Sequence, residues 1–454
     1  MKDLLKKLIE GKRVLILGFG REGKSSYRLL RKFFPEIRLI IADKNADLNL
    51  SELDGHELNQ ILLGEKYLEA LNDADLVFKS PGIDFNNNIA SFGHCEIVSQ
   101  TSLFLERFHR QIIGVTGTKG KSTTSSLIFH LLKESGRDAV LVGNIGIPPF
   151  DAIERITDQT RIVFEISAHQ LEFVNQSPHI AVLLNIFQEH LDYFKSVNNY
   201  AHAKFNIAVY QNPSDYLIYD ASNEYLKHHI KAFNFQGQLI PVDLTGDFYN
   251  HEKEVLFIPE TSEPVNIALS LLRGQHNIKN ILVSVIACHI AGLHPVEIEK
   301  GIATFRPLEH RLEFAGVAAG ITFINDSIST IPEATIEAVK TLPETDTIIL
   351  GGKDRGIDYS ELIVFLANSG IRNFLFTGPA GKRMMEMLEQ QINPGKNLVF
   401  VYDWNDLPSL ILNYTLKGKA CLLSPAASSY DRFENFEERG KLFKKIVKNL
   451  ASLK

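Results

Sequence analysis

Short apolar runs recur along the chain, each closed by a polar or glycine-containing turn and most followed by a stretch with helical spacing. Residues 13–17 form the first run and end in Gly18-Phe-Gly-Arg-Glu-Gly23. Residues 37–42 end at Asp43, and residues 76–79 lead into Ser80-Pro-Gly-Ile83. A second set opens with a strand at 111–115 and a helix over 122–135, with strands at 162–166 and 180–184. A third set places strands at 321–324, 347–350, 373–376, 399–402 and 420–423. Near-continuous apolar strands alternating with helices predict an α/β class with mostly parallel sheets. Residues 210–265 are less regular and can carry small strands, and 274–291 reads as a buried helix with a polar start. At ~100–200 residues per domain, the 454-residue chain suggests about three domains. The pattern divides it at 1–106, 107–304 and 305–454, each an α/β unit.

Composition narrows the partners. A net charge of −6 leaves no basic footprint for nucleic acid, so bound phosphates must meet local cations. Cys95, Cys288 and Cys421 are far apart and lack metal-type spacing, as in a reduced, cytoplasmic protein. No apolar run reaches the ~20 residues that span a bilayer, and the charged amphipathic N-terminus reads as no secretion signal. Neither a nucleic-acid nor a membrane partner is expected.

Candidate chemistry falls just after the predicted strands, where open parallel sheets bind ligands. Thr116-Gly-Thr-Lys-Gly-Lys-Ser-Thr123 joins a strand to a helix. Glycines such as Gly117 and Gly120 let backbone N–H groups face a phosphate, Lys121 adds a point charge, and Ser122 can ligate Mg²⁺. Thr118, Lys119 and Thr123 complete the loop. Its spacing departs from the general P-loop, because Val115 stands where a first glycine is usual. Glu165 ends an apolar strand and, if buried, needs a cation. Mg²⁺ shared with Ser122 is one solution and a structural ion pair is the other. His190, between Glu189 and Asp192, can ligate metal or orient a phosphate, although alone it reads as a loop histidine. Lys204 alone reads as a solvated helix lysine. Gly18-Phe-Gly-Arg-Glu-Gly23 with Asp43 suggests a dinucleotide unit and an NAD-dependent oxidoreductase, but a lone motif of this kind is weak, and the loop at Gly117 has no place in such an enzyme.

Taken together these residues resemble the Mur ligase family, which joins a carboxylate to an amine at the expense of ATP. The resemblance runs the length of the chain and implies a Rossmann-like UDP-sugar-binding domain over 1–106, a P-loop-type central ATPase domain over 107–304 and a Rossmann-like amino-acid-binding domain over 305–454. It rests on Thr116–Thr123, Glu165-Ile-Ser-Ala-His-Gln-Leu-Glu172, Asn185…His190…Asp192, Tyr200…Lys204, Gly274-Gln-His-Asn-Ile-Lys-Asn280, Glu309-His-Arg311, Asn325-Asp-Ser327 and Leu423-Ser-Pro-Ala-Ala-Ser-Ser429…Phe436. It implies ATP and Mg²⁺ (two ions), with UDP-N-acetylmuramoyl-L-alanine and D-glutamate as substrates of a monomeric enzyme of peptidoglycan synthesis. A related ligase using another amino acid or folate is the alternative within the family.

The resemblance also implies roles. Lys204 matches a lysine that is carbamylated and helps hold Mg²⁺ with Ser122, Glu165 and His190. Asn277, Asn280, Arg311 and Asp326 match nucleotide contacts, the last two from the C-terminal domain, so that domain closure would gate the reaction. Gly20, Arg21, Glu22, Asp43, Lys44, Ser80, Pro81, Gly82 and Asn144 match segments facing the UDP-sugar. Ser429 and Phe436 match the amino-acid site, where Lys353 and Arg355 are candidate carboxylate partners. Five positions depart from the family pattern: Lys119 for asparagine, Ala168-His169 for Ser-Phe, Glu189 for aspartate, and Ile328 for a lysine that would contact glutamate.

Overall fold

Among the described residues the strands assemble into four sheets, three of them built from the predicted apolar runs. The computed structural model describes the chain except for residues 49–52, 54–57, 86–93, 246, 260, 262, 273, 392–394 and 453–454, and the side chain of Asp192. The chain divides into two compact units, Met1–Phe305 and Arg306–Lys454.

The first unit holds two all-parallel sheets. One runs in the order Asn59–Leu63, Leu39–Asp43, Val14–Leu17, Leu76–Lys79, Glu96–Val98. The other runs Gln238–Val242, Tyr216–Asp220, Ile180–Leu183, Ile112–Thr116, Arg161–Glu165, Ala139–Gly143. A small antiparallel sheet of Tyr249–Asn250, Val255–Phe257 and Pro264–Asn266 accounts for part of the irregular segment.

Continuous apolar runs suit these strands because both faces are covered. In Arg161–Glu165, Ile162 and Phe164 enter one core cluster and Val163 enters the other. Val14 and Ile16 likewise part from Leu15 and Leu17. Each fully buried side chain of this size stabilises by about 1.5–3 kcal/mol.

In the second unit the order is Glu313–Ala318, Ile321–Asn325, Ala420–Leu423, Thr345–Gly351, Asn373–Thr377, Asn397–Phe400, with only Glu313–Ala318 antiparallel.

Strands absent from the hydrophobic pattern lie mostly at sheet edges: Asn59–Leu63, Glu96–Val98, Ala139–Gly143 and Glu313–Ala318. Asn59–Leu63, Glu96–Val98 and Glu313–Ala318 carry polar residues that weaken the apolar signature, as edge strands covered on fewer sides can, whereas Ala139–Gly143 is apolar throughout and its composition does not explain the miss. Among the described residues no helix is long and apolar enough to cross a membrane.

Helix Arg21–Phe33 joins the two sheets of the first unit through a stripe at helical spacing. Arg21 donates to the Gly146 carbonyl. Ser25 Oγ donates to Asp151 Oδ1 at 2.7 Å, Arg28 reaches Asp151 at 2.9 Å, and Lys32 pairs with Glu154. Of the Gly18–Gly23 turn, Arg21 thus reaches toward the second sheet, while Phe19 packs into the core of the first.

Candidate active site

Strand Ile112–Thr116 is buried throughout and delivers the loop to helix Lys121–Glu134. Gly120 caps that helix at φ 87°, and a Cβ there would lie 2.6 Å from Asn280 Oδ1. Only glycine meets both demands. Asn185, at the end of the neighbouring strand, clamps the loop. Its Oδ1 accepts from Lys119 N–H at 2.8 Å, its Nδ2 donates to the Lys119 carbonyl at 3.0 Å, and its own carbonyl accepts from Thr118 N–H at 2.9 Å. Thr118 Oγ1 lies 3.3 Å from Tyr200 OH and accepts from Phe187 N–H at 3.0 Å. The sequence carried Asn185 inside a motif without assigning it this role, because the two segments meet only across the sheet. Asn185→Ala is expected to weaken nucleotide binding about tenfold, the worth of two hydrogen bonds of roughly 0.5–1.5 kcal/mol each. Equilibrium titration with ADP checks this.

Two lysines converge on one carbonyl of the loop. Lys121 Nζ donates to Gly117 O at 2.7 Å and to Thr118 O at 2.9 Å, and Lys204 Nζ donates to Gly117 O at 2.9 Å. Lys204 is 1% exposed, so the solvated helix lysine of the sequence reading is in fact buried. Burial, and then repulsion from Lys121, hold its ammonium well below the ordinary range, against the attraction of Glu189 and Glu165. The Tyr200 ring lies 4.6 Å from its Nζ.

Glu165 is fully buried. Asn144 Nδ2 donates to its Oε1 at 3.0 Å, while its Oε2 has no hydrogen-bond partner among the described residues. A buried carboxylate oxygen left in that state is costly and suits a cation. Among the described residues no three His, Cys, Asp or Glu side chains converge as a metal cage. Mg²⁺ is commonly held by one or two carboxylates together with substrate phosphates, so Glu165 beside the phosphate loop fits it.

His190 sits half exposed at φ 56°. Its ring lies 5.1 Å from that of His169 and 6.0 Å from that of Tyr200. Glu189 pairs with Lys119 at 3.0 Å; burial raises its carboxyl, and Lys119, with Lys121 and His190 adding to it, more than offsets that, leaving the pKa lowered. The two departures Lys119 and Glu189 therefore answer each other. Ser122 is half buried at the helix start and Thr123 is buried. Asn277 and Asn280 lie in the first turns of helix Gln275–Ile290, where Asn280 Nδ2 donates to Asn277 Oδ1 at 3.1 Å.

The other half of the first unit presents the exposed Gly20, Lys44 and Gly82 beside half-buried Ser80 and Pro81. Asp43 is occupied by backbone: Oδ2 accepts from Phe19 N–H at 2.6 Å and Oδ1 from Asn45 N–H at 2.8 Å. Ser80 Oγ donates to Gly18 O at 2.7 Å. Glu22 Oε1 accepts from Gln170 Nε2 at 2.7 Å, its Oε2 is buried without a hydrogen-bond partner among the described residues, and burial pushes the carboxyl up to about 6. Sequence reasoning passed over Lys79. Its buried ammonium lies 3.6 Å from Glu172 and 3.5 Å from Tyr193 OH, a tyrosine 114 residues away that donates to Glu172 at 2.7 Å. Its only trace in the sequence is a lysine closing an apolar strand.

In the second unit, Asp326 is buried rather than presented. Leu312 N–H and Ser424 Oγ donate to it at 3.2 and 2.8 Å, and burial raises it to about 6. Arg311 is half buried. Lys353 and Arg355 are exposed after strand Thr345–Gly351, with Arg355 donating to the Thr330 carbonyl at 3.0 Å. Ser429 is buried after strand Ala420–Leu423, and Phe436 opens helix Phe436–Ser452.

Residues 115–288 match the Mur ligase middle domain. The chain is 31% identical over 446 residues to the UDP-N-acetylmuramoylalanine–D-glutamate ligase of Oenococcus oeni, covering 97% of this chain and 98% of that one. It is 31% identical over 453 residues to the enzyme of the same name from Caldanaerobacter subterraneus subsp. tengcongensis, covering 97% and 99%. Among solved structures, the MurF ligase of Thermotoga maritima in complex with ADP superposes with a TM-score of 0.57 at 16% identity, covering 96% of this chain and 95% of that one.

Proposed function

The chain belongs to the Mur ligase family, and on that premise we propose that it adds D-glutamate to UDP-N-acetylmuramoyl-L-alanine in peptidoglycan precursor synthesis, using ATP. The observation that carries the site assignment is a phosphate loop set beside a buried carboxylate with one oxygen unpartnered among the described residues, Glu165 Oε2. The Gly18–Gly23 turn then belongs to a ligase, not to an oxidoreductase.

A carboxylate and an ammonium do not condense in water; the carboxylate first needs a leaving group. The substrate carboxylate attacks the γ-phosphorus of ATP, giving an acyl phosphate and ADP. The amine of glutamate then attacks the acyl carbon, and phosphate leaves. Alignment and charge neutralisation account for most of the catalysis. Lys121 turns from its loop carbonyls to the transferring phosphoryl group, and the N–H groups of Gly117–Thr123 cradle the phosphates. Lys119, Asn277 and Asn280 complete the nucleotide site in the first unit; Arg311 is assigned to the nucleotide as well, and the buried Asp326 acts only by holding the Leu312 backbone next to Arg311.

Glu165, Ser122, His190 and carbamylated Lys204 would hold Mg²⁺, which when bound neutralises phosphate charge. Carbamylation is supported by the crowding of Lys204 and Lys121 on one carbonyl. Attack of the neutral amine on carbon dioxide forms an N–C bond, releases a proton and replaces a cation by an anion there.

Gly20, Arg21, Glu22, Asp43, Lys44, Ser80, Pro81, Gly82 and Asn144 are assigned to the UDP-sugar, with Arg21, Glu22 and Asp43 acting largely by shaping the loops they bond. Residues 305–454 are assigned to the amino acid, with Lys353, Arg355, Ser429 and Phe436 as its contacts. Ile328 removes the usual lysine, and an arginine fork at Arg355 suits a carboxylate.

Phosphate release with UDP-N-acetylmuramoyl-L-alanine, ATP and Mg²⁺ is expected to be stimulated by D-glutamate and not by L-glutamate. No stimulation by D-glutamate would overturn the substrate assignment.

A further inference from the structure

Arg439 lies in the first turn of helix Phe436–Ser452 and is 1% exposed. Each of its five N–H donors has an acceptor. Nε donates to Ser327 Oγ at 3.0 Å. Nη2 donates to the carbonyls of Ser327 at 2.8 Å and Ala427 at 3.1 Å. Nη1 donates to the carbonyls of Ala427 at 3.1 Å and Gly351 at 3.3 Å. Ser327 Oγ in turn donates to the Phe436 carbonyl at 2.8 Å, which ties the helix start to the same point.

The acceptors stand where three strands end: Ile321–Asn325, Ala420–Leu423 and Thr345–Gly351, neighbours in the sheet in that order. Their loops carry Ile328, Ser429, Lys353 and Arg355. A buried cation is expensive, and filling this space would need only an apolar side chain. Guanidinium is the one side chain with five donors in a fixed fork, so it can hold three loop ends at a set spacing. None of its four acceptor atoms is a carboxylate oxygen, so these contacts define geometry and not an ion pair.

We propose that Arg439 is the positioning residue of the amino-acid site, setting the spacing of the three loops that bind glutamate. This rests on the assignment of the second unit to the amino acid. With the lysine position taken by Ile328, loop spacing carries more of the recognition.

The test is steady-state kinetics by phosphate release on the full chain. KM is measured for ATP, UDP-N-acetylmuramoyl-L-alanine and D-glutamate in wild type, Arg439→Lys and Arg439→Gly, the last with and without methylguanidinium. The expected result is a D-glutamate KM raised about tenfold or more in Arg439→Gly and less in Arg439→Lys, with the other two KM values within about twofold. Methylguanidinium should lower the D-glutamate KM of Arg439→Gly toward wild type. Equal rises in all three KM values, or an unchanged D-glutamate KM, overturn the proposal, as does a folded Arg439→Gly that methylguanidinium does not rescue. Should Arg439→Gly fail to fold, Arg439→Lys and Ser327→Ala carry the comparison, and an unchanged D-glutamate KM in both overturns it. A wild type that turns over with neither isomer of glutamate overturns the amino-acid assignment itself, and this proposal with it.

Discussion

Lys121→Ala is expected to lower phosphate release by about a thousandfold or more, the scale of a lost charge contact to a transferring phosphoryl group. The residue stands in the first turn of its helix, where the macrodipole already favours anions, and its ammonium is held over the loop by two carbonyls. Those bonds keep the charge at the cradle before nucleotide arrives, so little reorganisation is needed when it does. The loss should fall mainly on kcat, because charge developing in transfer is stabilised more than the ground state. Steady-state kinetics and thermal unfolding of the variant check this together. A variant that keeps wild-type kcat while remaining folded would remove Lys121 from the chemistry.

Lys204→Ala is expected to lower activity by about a hundredfold or more and to regain about tenfold of that with added acetate or propionate. The loss follows from removing the group that would become an anion beside Glu165. The recovery follows because a short carboxylate can occupy the space that alanine leaves. Isotopically labelled bicarbonate should give a carbamate resonance in wild type that Lys204→Ala lacks. Wild-type activity in Lys204→Ala would reject the role. Loss without rescue or resonance would leave Lys204 as a support of the Gly117 carbonyl only.

Much of the site was legible because its chemistry is local. Gly117, Gly120, Lys121 and Ser122 sit on one strand–loop–helix unit, and backbone geometry over a few residues suffices to read them. Glu165 was legible as a carboxylate ending a buried strand. Lys204 was not, since its burial depends on Tyr200 and the phosphate loop, distant in sequence. Lys79 with Glu172 and Tyr193, and Arg439 with its three loops, escaped for the same reason. No spacing rule links residues that meet only when sheets pack.

By itself the sequence determined the parallel α/β class, most of the central strands though not Tyr216–Asp220, the candidate phosphate loop and the family. Each of these rests on periodicity or on contiguous motifs, which are properties of the chain. Only the tertiary structure decided the edge strands, the pairing of Lys119 with Glu189, the inward turn of Asp326 and the meeting of two lysines at Gly117. Those depend on desolvation and on long-range contacts: a side chain's charge and partner are set by what surrounds it, and its surroundings exist only once the sheets have packed.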